Sequence, residues 1–327
     1  MTQTPALPAH GQRDARIDLC RGAALLFIFW DHVPGSVLGH LTPRNFGLSD
    51  AAEWFVMLAG CSAMLAYGRA YARQGLYVMS MRALRRVGVL YVAHVFLLAV
   101  LMAVVFVAND HVATRDFVTE VGLGYFLQQP QKALVSGLLL TFKPMLMDPL
   151  PLYVALMLIV PLLVPALVHR PVATIALSGG LYLLANLCGV NLPARPEDYW
   201  FFNPLAWQFL FVVGAALARP AVVGSTPPWL PSLARRLVPC SVAFLALSAL
   251  LALSWRWPAF HDALMPRAVG EFIYPISKTH LAPLRLLHIL ALACCAWHFV
   301  SRGPWLETWL PPALAAMGRL PLQVFCA

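Results

Sequence analysis

Arg21 and His32 lie eleven residues apart in the first apolar stretch of this chain. In an α-helix that spacing returns to within about 20° of the same face, about 16 Å further along the axis. Ionisable groups inside apolar segments are costly and mark function by default. The pair offers a cation near one end of the helix and, near the other, an imidazole able to take a proton at neutral pH. The plainer reading has Arg21 snorkelling to headgroups and His32 packing. Asp31 precedes the histidine, and Glu53 opens the next apolar stretch; either carboxylate could steady an imidazolium, although neighbours on a helix point about 100° apart. Asp50 and Glu53 also have the spacing of a capping box, which needs no function. Arg82, Arg85 and Arg86 share one helix face at i, i+3 and i+4 and suit phosphates, which guanidinium forks bind bidentately; their simpler task is to hold a loop in the cytoplasm. Further on, Arg285 and His288 share a face and are candidates to line the cavity of His32. No G-x-S-x-G, glycine-rich nucleotide loop or metal-ligand spacing occurs, so neither a metal nor a permanently bound cofactor is expected.

The elements that must position these groups are membrane spans. Of 327 residues, 60% are hydrophobic and 11% charged, against about 25% charged in soluble domains. The sequence predicts an all-α, polytopic transmembrane bundle forming a single domain over 1–327. Apolar runs place helices at roughly 19–38, 51–68, 87–108, 150–168, 172–190, 200–218, 238–254 and 281–301, which makes about eight full spans. A ninth begins near 311 and stops about 16 residues on, barely enough to cross, as in a truncated chain. Residues 1–18 form a polar arm with no cleavable signal pattern. Residues 109–149 form an external loop whose Ala133–Met147 stretch is an interfacial or re-entrant helix.

The net charge of +9 points to topology rather than to nucleic acid, which is not an expected partner. The arm and the loops after spans two, four, six and eight carry twelve arginines against three acidic residues, Arg13, Arg302 and Glu307 among them. The positive-inside rule then puts the N-terminus in the cytoplasm. The seven cysteines fall in or beside apolar runs without a C-x-x-C pair, so no disulfide framework or zinc site is expected. Aromatic clusters at span edges, including Trp200, Trp255, Trp257, Trp305 and Trp309, read as interfacial anchors; Trp200, Trp255 and Trp257 are also candidates for stacking on sugars.

Several separate stretches, in order along nearly the whole chain, resemble the OpgC-type proteins within the type 3 acyltransferase superfamily: RGAALLFIFWDHVPG (21–35), TPRNFGLSDAAEWFVMLAG (42–60), LRRVGVLYVAH (84–94), LPLYVALMLIVPLL (150–163), NPLAWQFLFVVGA (203–215) and LAPLRLLHILALA (281–293). The superfamily's arginine–histidine motif maps onto Arg21 and His32, and the arginine motif of its third span onto Arg82, Arg85 and Arg86. The resemblance implies an inner-membrane O-acyltransferase moving an acyl group, succinyl in this family, from a cytoplasmic acyl-CoA co-substrate to a hydroxyl of a periplasmic glucan. On that reading His32 is the base, Glu53 or Asp31 steadies it, Arg285 stabilises the oxyanion, and Arg21, Arg82, Arg85 and Arg86 serve the donor. The rival readings are a proton-coupled transporter and a non-catalytic partner of a glucan synthase. The residues themselves do not separate succinyl from acetyl, and they leave the acceptor sugar and the oligomeric state open.

Overall fold

In the computed structural model, residues 14–112, 114–300, 308 and 310–326 are described. Among them all regular structure is helical, with no strand. In chain order come α1 (Ala15–His32), two 3-10 turns (Leu38–Leu41 and Pro43–Asn45), α2 (Ala51–Ala63), a π turn (Met64–Gly68) and α3 (Arg69–His111). Three short helices follow, α4 (Phe117–Val121), α5 (Gly124–Gln128) and α6 (Pro130–Leu138), then α7 (Pro149–Leu158), α8 (Val160–His169), α9 (Pro171–Cys188) and α10 (Pro204–Ala218). The remainder is α11 (Pro220–Val223), α12 (Trp229–Ser254), α13 (Pro258–Leu264), α14 (Arg267–Ile273), α15 (Pro283–Phe299), α16 (Leu310–Arg319) and α17 (Pro321–Cys326).

Each predicted apolar run coincides with a helix, but only some of these helices are spans by length and composition. Four qualify among the described residues: the continuous run Ala51–His111, and helices Pro171–Cys188, Pro204–Val223 and Trp229–Ser254. The pair α7 and α8, bent by 53°, makes a fifth if counted as one. The expectation of eight full spans and a short ninth is therefore met in its coarser form, an apolar helical membrane protein. Three causes are evident. Helix α1 carries Arg16, Asp18, Arg21 and Asp31 in 18 residues, and α15 has only 17 residues. The 61-residue run holds two predicted spans in one helical stretch. At 1.5 Å per residue it is about three times as long as a bilayer core is thick. Its break is Gly75, at φ 80° and ψ 178°, a conformation essentially reserved for glycine.

The chain divides into two compact units. The first takes residues up to 65 and from 210 to 325. Here α1 packs against α16 with backbones almost touching: a Cβ on Gly22 would run into the Leu314 carbonyl, and one on Gly318 into that of Asp18. The same device brings α2 to α10, through Gly60 at the Phe211 carbonyl and Gly214 at that of Met57. Small residues at such crossings are how helices associate where lipid removes the hydrophobic drive.

The second unit, residues 66–209, builds on α3, α7 and α8. The predicted external loop folds back on α3: Val118, Leu123, Ala133 and Phe142 form a buried cluster with Val105. Within it α6 ends at Leu138, short of the predicted Met147. Leu140 and Leu146 take positive φ, and Lys143–Pro144 between them cannot continue a helix.

Candidate active site

The site grows from the start of α2. Asp50 is its N-cap, accepting from the Ala52 amide at 2.9 Å, while Glu53 Oε2 accepts from the Asp50 amide at 3.0 Å. The capping box is thus real, and it is half of what these residues do. Glu53 Oε1 accepts from Arg285 Nε at 2.6 Å, and Asp50 Oδ2 accepts from Arg285 Nη2 at 3.1 Å and Lys278 Nζ at 2.6 Å. Glu53 is 0% exposed, so its charge depends on this guanidinium. Burial alone would raise the pKa of Asp50; Lys278 and Arg285 outweigh it and hold the carboxyl well below the usual range. Among the described residues Arg285 Nη1 carries no hydrogen bond.

Two cavities flank this cluster, both within the first unit. Arg285 lines one of about 390 Å³ together with Arg44, Asn45, Trp255, Arg256 and Tyr274. One turn on, His288 lines a second of about 550 Å³, an apolar groove walled by Phe46, Trp54, Leu245, Leu292 and Phe299. His288 is buried, its Nδ1 2.7 Å from Ser49 Oγ. Gly47 leaves the ring room that a Cβ would occupy. The Trp54 indole N–H is buried without a partner among the described residues.

The structure distributes the sequence-predicted residues differently from the expected single cluster. It joins Glu53 to Arg285 and leaves His32 apart. His32 is exposed at the end of α1 and lines neither cavity; its Nδ1 lies 2.6 Å from the Ile28 carbonyl. Since a carbonyl only accepts, Nδ1 is the donor there, which in a neutral ring leaves the lone pair on Nε2. Asp31 accepts from Thr42 Oγ1 at 2.5 Å, so it pins the α1–α2 connection. Arg21 is buried, bound to the carbonyls of Gly318 and Leu58 and to Ser62 Oγ. It ties α1 to α2 and α16 and does not reach out to headgroups. Arg82 and Arg85 are exposed and Arg86 half-buried on α3, in the second unit.

The sequence profile described as OpgC protein matches residues 13–327. The chain belongs to the OpgC protein family. No curated protein and no solved structure matches it. Membership gives the general class, a glucan-modifying acyltransferase, and leaves donor and acceptor open. In this OpgC family member, the sugar-stacking candidate Trp255 lines the first of these two cavities. Its ring stacks on His261 at 3.8 Å and its N–H meets the Tyr274 hydroxyl at 3.3 Å. Trp200 is buried under Lys143, whose Nζ sits 4.0 Å from the ring centroid, so it packs. Trp257 is exposed, while Trp305 and Trp309, with Arg13, Arg302 and Glu307, lie outside the described residues. Sequence reasoning missed Lys278, Ser49, Arg44, Arg256 and Tyr274. Only the seven-residue step from Lys278 to Arg285, two helical turns had it been helical, hinted at any of them.

Proposed function

We propose that the chain is an O-acyltransferase of the bacterial inner membrane, moving an acyl group from a cytoplasmic acyl-CoA to a hydroxyl of a periplasmic glucan. The observation that carries this reading is the pair of cavities one helical turn apart on α15. One is cationic and aromatic, the other apolar, as the reacting acyl group with its sugar hydroxyl and the thioester arm require. An amide carbonyl of such an arm would satisfy the orphan N–H of Trp54. Succinyl is the acyl group that the family resemblance suggests. In the membrane the 51–111 run counts as two crossings, and with α1 and α15 this gives eight spans plus the short ninth, with the N-terminus in the cytoplasm.

Chemically, His32 Nε2 takes the proton of the sugar hydroxyl as its oxygen attacks the thioester carbonyl. Arg285, clamped by Glu53 and Asp50, presents Nη1 to the oxyanion. The thiol leaves with the proton returned from His32. His32 lines neither cavity, so the acceptor has to bring it to the reaction; catalytic hydrogen bonds are often completed only in the substrate complex. The test is transfer of radiolabelled acyl groups from acyl-CoA to glucan by the purified protein in liposomes. Transfer by wild type and none by His32→Ala is expected. No transfer by wild type would sink the reading, and full transfer by the variant would remove His32 from it.

The part-buried Asp50–Glu53–Arg285–Lys278 network also suits proton-coupled transport. Uptake of glucan or anion by the same liposomes without any acyl-CoA would favour that second reading.

A further inference from the structure

The cavity beside Arg285 has a charge that the acyl transfer described above does not use. Its wall carries three guanidiniums, those of Arg44, Arg256 and Arg285, and no carboxylate. The charge of Arg285 is answered from beneath, since two cations, Arg285 and Lys278, face two carboxylates, Glu53 and Asp50. Arg44 and Arg256 stand outside that balance. Neither side chain has an ion pair or hydrogen bond among the described residues. The neighbouring polar groups do not compensate: the Asn45 amide donates to the Gly39 carbonyl and Thr42 Oγ1, and the Trp255 N–H to Tyr274. A concave wall with two unanswered guanidiniums, narrowed by aromatic rings, attracts an oxyanion and discriminates against a neutral group of the same shape.

We infer that this cavity is an oxyanion subsite in which Arg44 and Arg256 determine specificity, holding a carboxylate or phosphodiester while Arg285 faces the reacting carbonyl. The inference rests on the acyltransferase reading and deepens it. The source it fits is an acyl group ending in a carboxylate; the other source of the same chemistry is an anionic lipid headgroup. Arg44 lies in the second 3-10 turn of the α1–α2 connection and Arg256 just past the end of α12. An anion held between them would also bind these two segments together.

The experiment uses the full chain in phosphatidylcholine nanodiscs and two short probes, the N-acetylcysteamine thioesters of succinate and of acetate. These differ only in the acyl group and carry no phosphate. Wild type is expected to bind the succinyl probe at least about tenfold more tightly, the scale of one charge-assisted contact. Arg44→Gln with Arg256→Gln should erase that preference, Arg44→Lys with Arg256→Lys should keep part of it, and Arg267→Gln, which alters an exposed pair with Glu271, should leave it intact. Equal binding of the two probes by wild type, or an unchanged preference in the double Gln variant, overturns the acyl source. A second arm adds phosphatidylglycerol to the nanodiscs. Arginine-dependent retention of that lipid without succinyl preference keeps the subsite and assigns it to the headgroup, and no arginine-dependent binding of either overturns the subsite. Binding is read without turnover. A protein that discriminates but transfers nothing would therefore refute the acyltransferase reading and leave the subsite standing.

Discussion

Replacing Glu53 by Gln should destabilise the protein by about 2–3 kcal/mol, an amount set by what the change leaves behind. The substitution keeps the shape of the side chain and the capping acceptor but removes the charge facing Arg285 Nε at 2.6 Å, in a pair whose side chains are 0% and 12% exposed. Arg285 retains Asp50 at 3.1 Å. The loss is then about one charge-assisted hydrogen bond, ~1.5–3 kcal/mol, and stays below the ~3–5 kcal/mol of a buried charge with no partner. Arg285→Gln is the harsher change, because among the described residues Glu53 has no second cation within bonding distance; about 3–5 kcal/mol is expected. The double variant should cost less than the sum, with a coupling of about 2 kcal/mol. Reversible unfolding in mixed micelles of mild detergent and dodecyl sulfate at pH 8 measures all three. Single variants within about 0.5 kcal/mol of wild type, or strictly additive losses, would show that the network does not hold α2 to α15 as described.

Further outcomes follow from the same physics. Gly75→Ala should cost about 1–3 kcal/mol by backbone strain alone, since nothing lies within 4 Å of the added carbon; an unfolding midpoint equal to wild type would contradict the glycine-only break. Gly60→Ala should weaken the α2–α10 crossing by at least about 1 kcal/mol, because its Cβ meets the Phe211 carbonyl; unchanged stability would mean the helices are not in backbone contact. Burial raises the pKa of Asp148 from 3.8 to about 6. A carboxyl whose pKa is raised by folding contributes stability that is full below about pH 4 and lost as pH rises through about 6. Asp148→Asn should remove that loss, and a wild-type stability profile that is flat between pH 4 and 7 would refute the burial.

Much of the fold was legible because apolar runs and helices coincide, from α1 to α16. The number of crossings was less legible. Residues 69–86 read as a basic loop, yet Arg, Ala, Leu, Met and Gln are strong helix formers with no proline among them, so the segment stays helical apart from Gly75. The capping box at Asp50–Glu53 followed from spacing because it is local. Its second half did not, since Arg285 lies 232 residues away from Glu53 and no periodicity reports a contact of that range. The same limit applies to Arg21. Its place on the face of His32 is a matter of helix geometry, whereas its capture by Ser62 and the Gly318 carbonyl depends on which helices meet it. Exposure of His32 was likewise out of reach, because it depends on how the connection pinned by Asp31 and Thr42 leaves the end of α1.

Mass spectrometry of periplasmic glucans from cells lacking the gene, complemented by wild type or by the His32→Ala form, tests the central claim most directly. The account predicts an acyl substituent on the glucan that appears with wild type and is absent with the variant, both proteins being present in the membrane. Glucans carrying the same substituents in all three strains would contradict it.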